Sequence, residues 1–196
     1  MFDSIVTKVK GFLLSPVETF QQSRTDDPTA VFTYFGILLL FNAVLSALVA
    51  ALGIETMQMY AGMPLGHAFP ILVFFMMLIG GCICTVVFSA WLHLWVYLLG
   101  GKNGIMQTVN AVIYGSTPRL LLGWVPFVGI IFTLWSLILG ILGVRELQNL
   151  STGKAILAVA IAVIVPLIIV ILIAAYFFTT AMTTVAVPYP PTNAVN

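Results

Sequence analysis

Charge is what this sequence has least of. Asp, Glu, Lys and Arg are absent from positions 28–54, 56–101, 103–118, 120–144 and 155–196, and together they make up 7% of the chain. Soluble domains carry about a quarter, so the solvent for most of this surface must be lipid. The seven Lys and Arg are scattered and the net charge is +1, which excludes a nucleic-acid partner held by phosphate electrostatics. Cysteine is nearly absent too. Cys82 and Cys84 lie two apart in an apolar run. On a helix they point about 200° apart, so they neither bridge nor share a metal, and they read as inert buried thiols. There is no carboxylate pair, no His-Glu-x-x-His helix, no Ser-His-Asp set at membrane depth and no phosphate-cradling glycine loop leading into a Lys. Gly100-Gly101-Lys102 lacks the strand that such a loop follows. Enzyme chemistry, a metal and a cofactor therefore have no carrier in the sequence. Proton-driven transport lacks its usual intramembrane acid.

What is present is apolar length. A helix crosses the hydrocarbon core in about 20 residues, so 196 residues hold four or five crossings and no separate soluble domain. The expected fold is all-α: a polytopic membrane bundle of five transmembrane helices with an amphipathic N-terminal helix. Phe2, Ile5, Val6, Val9, Phe12 and Leu13 recur at helical spacing with Lys8 and Lys10 between them, an amphipathic helix and not a signal segment. It lies either in the interface plane of a leaflet or against the bundle's own cytosolic face. Ser15-Pro16-Val17-Glu18 supplies an N-cap, a first-position proline and an acid, which starts a second short helix at Pro16 that fades near Arg24.

Asp27-Pro28 caps a first crossing, about 29–52, ended by Gly53 and Glu55. A loop through Met63-Pro64 leads to a second, about 69–99, whose 31 residues reach about 46 Å, so tilt or protrusion must absorb the excess. Residues 100–104, Gly-Gly-Lys-Asn-Gly, signal a tight turn, and a helix from Ile105 to Thr117 returns alongside until Pro118 stops it. Gln107, Asn110, Tyr114 and Thr117 form a polar stripe on it, opposite Val109, Val112 and Ile113. This segment either completes a span through Leu120–Leu122 or re-enters. The fourth span covers 126–144 and ends at Arg145-Glu146; Ser151 caps a fifth, 153–178. Residues 1–27 thus form an arm, 28–180 the membrane domain and 181–196 a proline-rich tail expected to be disordered. Five crossings put Lys8, Lys10, Arg24, Lys102, Arg145 and Lys154 on one side against Arg119 alone, whereas re-entry gives five against two. The positive-inside rule prefers the former, in the cell membrane with the N-terminus cytosolic and the C-terminus outside.

Small residues mark helix contacts in lipid. Gly129, Thr133, Ser136, Gly140 and Gly143 make a 3.5-residue seam on the fourth span, which serves an internal or a dimer contact; Gly81, Thr85, Ser89, His93 and Tyr97 make a ridge on the second. The fifth, with Pro166 its only break, lacks a seam and reads as the lipid-facing helix. His93, flanked by Trp91 and Trp95, is the one imidazole inside a span and reads as an interfacial anchor or as a functional group. Asn42 and Ser46, with the Gln107, Asn110 and Tyr114 stripe, form an interhelical hydrogen-bond cluster or line a polar pathway. Arg119 snorkels to headgroups or contacts an anion such as a lipid phosphate.

The order of features is familiar. Leu13 to Phe20 (Leu-Leu-Ser-Pro-Val-Glu-Thr-Phe), a long span ending in Leu99-Gly100-Gly101, Tyr114-Gly115-Ser116-Thr117-Pro118, Trp124-Val125-Pro126 and the segment 143–155 together resemble the Yip1-domain family, most closely its prokaryotic branch. The resemblance implies five spans and a cytosolic N-terminus. Eukaryotic relatives act as adaptors for prenylated small GTPases and in vesicle traffic and membrane shaping. This chain lacks their long cytosolic N-terminal region, and GTPase binding is not carried over. Pro16, Tyr114 and Pro118 are carried over as structural or partner-contact residues. The expected function is a non-enzymatic membrane-organising or partner-binding adaptor, with the lipid bilayer, another membrane or peripheral protein, or a second copy as partners. A passive channel or small-solute carrier using Asn42, His93 and Asn110 is the alternative.

Overall fold

Proline and glycine punctuate the chain, and the helices begin and end at them. The computed structural model describes residues 2–53 and 68–185. Its helices are α1 (Phe2–Leu14), α2 (Pro16–Gln22), α3 (Pro28–Ala51), α4 (Phe69–Leu98), α5 (Ile105–Gly115), α6 (Thr117–Leu122), α7 (Gly129–Gln148) and α8 (Thr152–Val185), with a 3₁₀ turn, Ser23–Thr25, after α2. Among the described residues there is no strand. Pro16, Pro28, Pro70 and Pro118 all stand in the first two positions of a helix, where a missing N–H removes no bond. The Asp27 side chain accepts the Thr29 amide at 2.9 Å. Ser15, expected to cap α2 likewise, makes no such side-chain bond. Gly100 and Gly104, at φ +102° and +85°, take the left-handed conformations that reverse the chain between α4 and α5.

Among the described residues, four helices are long and apolar enough to cross a membrane: α3, α4, α7 and α8 through Met182. The segment read as the third crossing comes in two pieces. Pro118 does not stop it; the helix breaks at Ser116 and Pro118 opens α6. The N–H that Pro118 lacks would have bonded the Tyr114 carbonyl, and the Thr117 hydroxyl donates to that carbonyl instead, at 2.6 Å. The chain therefore restarts at once. Together α5 and α6 run antiparallel along the whole of α7. Asn103 Nδ2 donates to the Leu147 carbonyl (2.7 Å), Gly115 lies against Gly140, and the Arg119 amide donates to Ser136 Oγ (3.0 Å). Gly123 ends the row beside Gly129.

This contact uses part of the small-residue seam. Gly143 is buried under Phe20 and Ala111, and a Cβ on Gly115 would come within 2.9 Å of the Gly140 backbone. The Gly129, Gly140 and Gly143 positions of the seam thus meet other parts of this chain, while Thr133 remains exposed. On α4 the ridge packs as expected at Gly81, which abuts Leu39, and at Thr85 and Ser89, but it ends at His93, because Tyr97 is exposed.

Four expectations are corrected. The fifth span has a packing face after all: Ala155, Ala158, Val159 and Ala162 are buried, and only from Leu167 to Thr179 is α8 exposed throughout. Alanine does there what glycine does on α7. Its helix also runs to Val185, past the expected end. Cys82 and Cys84 are exposed on α4 instead of buried, since the ridge that packs lies on the other side of the helix. The fourth span starts at Gly129 and carries Arg145 and Glu146 inside its last turn. Residues 181–185, expected in the disordered tail, are helical, and Glu55, the Met63-Pro64 loop and residues 186–196 lie outside the described residues.

The arm packs on the bundle. Ile5, Phe12 and Phe20 belong to the common core, with Phe12 and Phe20 fully buried, so the stripe that could have entered a leaflet is spent on protein.

Candidate functional site

Two clusters of polar side chains tie the N-terminal arm to the bundle. The first is built on Tyr114. Its ring is buried between Phe12, stacked on it at 4.6 Å between centroids, and Tyr34, edge-on at 5.2 Å; Phe20 closes against Phe12 at 4.9 Å. The Tyr114 hydroxyl donates to Asp26 Oδ2, and Lys8 Nζ, ion-paired with the same carboxylate, donates to the Tyr114 oxygen at 3.0 Å. The Lys8 ammonium also sits 5.0 Å from the Tyr114 ring centroid. Beneath, the Tyr34 hydroxyl and Thr117 Oγ1 are 2.8 Å apart, and Thr117 donates to the Tyr114 carbonyl. One ring thus ties α1, the α2–α3 linker, α3 and the α5–α6 break. The cluster is charge-balanced, and its one carboxylate oxygen receives two donors, so it can hold the arm in place.

The second cluster joins the arm to the loops. The Arg24 guanidinium bonds the Glu146 carbonyl and, at 2.7 Å, Asn149 Oδ1, while the Arg24 carbonyl accepts from Gln107 Nε2 at 2.9 Å. Asn149 is the left-handed residue that ends α7, at φ 53°. Gln21 Nε2 donates to Glu146, which also pairs with Arg145. Gln148, buried, donates to the Gly104 carbonyl (2.8 Å) and to Thr108 Oγ1 (2.9 Å) and accepts the Asn103 amide (3.1 Å). Thr108 is within 2.8 Å of His93 Nδ1.

The residues singled out from sequence fall as follows. Tyr114 is the centre of the first cluster. Pro118 is buried and opens α6 beside it, and Pro16 starts α2, whose Phe20 closes the aromatic stack. His93 links α4 to α5 through Thr108. Asn110 is buried, its Oδ1 without a partner among the described residues. Asn42 Nδ2 donates to the carbonyls of Arg119 (3.3 Å) and Leu120 (3.0 Å), binding α3 to α6. His93 and Asn42 engage Thr108 and Arg119, which are eleven residues apart along α5–α6. The Arg119 side chain is exposed, without a hydrogen-bond partner among the described residues. Lys8, Asp26, Thr108 and Gln148 were missed. Each pairs across at least 15 positions between different elements, and no local spacing announces that.

No curated protein and no solved structure matches the chain. The sequence pattern of the Yip1 domain matches residues 10–183, from the first helix to the last and including Tyr114, Pro118 and the seam on α7. With four helices suited to a bilayer and a match over most of its length, this membrane protein belongs to the Yip1-domain family.

Proposed function

We propose that this chain is a non-enzymatic membrane-organising adaptor: a five-crossing bundle that anchors, at its cytosolic end, a rigid platform made of α1 and α2. The observation that carries this reading is the clamp of Lys8, Asp26 and Tyr114 with Phe12 stacked on the ring. An adaptor must pass its partner's position to the membrane, and an arm fixed by an ion pair and an aromatic stack does so. The face of the arm turned away from the bundle is polar, with Asp3, Ser4, Thr7, Lys10 and Glu18 exposed around one large apolar side chain, Leu14, 80% exposed. Polar rim and apolar centre are the makings of a modest protein-binding patch.

Two further observations support the topology. Since α5–α6 matches α7 from Asn103 to Gly123, a crossing by α7 implies a return crossing by the broken helix. Lys8, Lys10, Arg24, Lys102, Arg145 and Lys154 also sit in the arm, loops and helix ends of one end of the bundle, the distribution expected of a cytosolic face. The test is recovery of co-purifying proteins by full-length chain and by a Lys10→Glu/Leu14→Glu double variant, whose sites are respectively exposed and strongly exposed. The variant should keep its melting temperature and lose the partner. Unchanged recovery, with unchanged liposome shape, counts against the adaptor reading.

A further inference from the structure

One cavity lies within the wall of the bundle. It measures about 320 Å³, opens to the outer surface of the bundle, and is lined by α4, α5, α7 and α8 with Ser116 and Arg119 of the α5–α6 break. That is at the small end of ligand sites, which run about 300–1,000 Å³. Its two ends differ. One is apolar, walled by Leu92, Val112 and Val159. The other is polar, with Arg119, Thr133 and Ser136. The hydroxyls of Ser116 and Thr133 already donate to backbone carbonyls, and Ser136 Oγ accepts the Arg119 amide. Donors left over at this end are the Arg119 guanidinium and the Ser136 hydroxyl. No Asp or Glu lines the cavity.

Depth sharpens the point. Ser136 is the eighth residue of the twenty of α7, so the Arg119 backbone lies about 10 Å from that helix's N-terminal end, within the apolar zone of the bundle. From there the long, exposed Arg119 side chain reaches toward headgroup level, where the available anions are lipid phosphates. The described chain offers it none. From this arrangement we propose that the cavity takes one acyl chain of an anionic phospholipid, whose phosphate is held by Arg119 and Ser136. The head lies toward the Gly129 end of α7 and the chain runs inward past Phe88 to Leu92 and Val112. Arg suits the role, since its planar fork meets two phosphate oxygens at once. The proposal needs α7 to cross the bilayer but not the adaptor reading.

The test is native mass spectrometry of the full-length protein released from phosphatidylcholine nanodiscs containing phosphatidylglycerol, alongside Arg119→Gln, Arg119→Lys and Gly140→Leu. A side chain at Gly140 meets open space on the cavity wall, so Leu there fills the cavity without touching Arg119. We expect phosphatidylglycerol to be retained over phosphatidylcholine by at least about tenfold. Arg119→Gln and Gly140→Leu should both lose that preference at unchanged melting temperature, and Arg119→Lys should keep part of it. Equal retention of both lipids overturns the proposal, as does competition by inorganic phosphate alone, which marks a free-anion site. Loss in Arg119→Gln with full retention in Gly140→Leu also overturns it, since the lipid then sits on the outer surface. Should a variant fail to fold, occlusion is read by alkylating Cys84, on the cavity wall and exposed: protection by phosphatidylglycerol supports the site, and unchanged labelling refutes it.

Discussion

Tyr114 does two jobs that substitution separates. Its ring fills the space between Phe12 and Tyr34, and its hydroxyl completes the pair of Lys8 and Asp26. Tyr114→Phe keeps the ring and leaves Asp26 with Lys8, so we expect a loss of about 1–2 kcal/mol, as for one charge-assisted hydrogen bond. Phe12→Ala empties the stack and should cost about 3–5 kcal/mol. Thermal unfolding in detergent ranks the two; an inverted order would place the stability in the ion pair and not in the stack. Tyr114 and Pro118 were legible in the sequence because they belong to a turn motif that marks the family. Lys8 and Asp26 were not. Lys8 reads as one of two lysines on an amphipathic helix and Asp26 as a neighbour of the Asp27 cap, and only the docking of α1 brings them together.

At the scale of elements, the junction of α5, α6 and α7 sets the packing, and its glycines are not equivalent. Gly115 faces the Gly140 backbone at a distance no Cβ tolerates, while a Cβ on Gly140 meets nothing. Gly115→Ala should therefore cost about 1–3 kcal/mol through forced displacement of α7. Gly140→Ala should be neutral or gain up to about 1 kcal/mol from helix propensity. Equal effects would mean the two helices slide freely. Thr117→Val removes a side-chain donor to the Tyr114 carbonyl and the partner of Tyr34, and should cost about 1–3 kcal/mol in the same assay. Helix limits were largely readable, because Pro16, Asp27-Pro28, Pro70 and the glycine turn are local signals. The restart at Pro118 was not, since it depends on a threonine hydroxyl replacing an amide. The packing face of α8 was missed because alanines amid Ile and Val count as apolar before they count as small.

For the molecule as a whole, the register of α5–α6 on α7 makes topology a matter of two labels. In a Cys82→Ser/Cys84→Ser background, Phe127→Cys should react with an impermeant thiol reagent from outside the cell and Lys102→Cys only after lysis. Phe127 is suited to this, being 86% exposed in the turn before α7. Labelling of both from one side would mean that α5–α6 and α7 turn back together, and the five-crossing reading would fail. The membrane medium was readable in full from the missing charges. The partners of the seam on α7 were not, because its spacing is the same whether it meets α5 or a second copy; Gly140 and Gly143 meet Gly115 and Ala111 of this chain.

The last helix outgrows its neighbours. With 34 residues α8 extends about 51 Å, against about 30 Å for α7, and beyond Val163 it leaves its packing partners as a greasy rod whose late threonines turn their hydroxyls back onto its own carbonyls. A rod of that reach suits a thick leaflet better than a thin one, or leans to fit. The protein should accordingly gather where the bilayer is thickest, so that partition between domains of different lipid chain length becomes a property of α8 alone, adjustable by shortening it after Leu172.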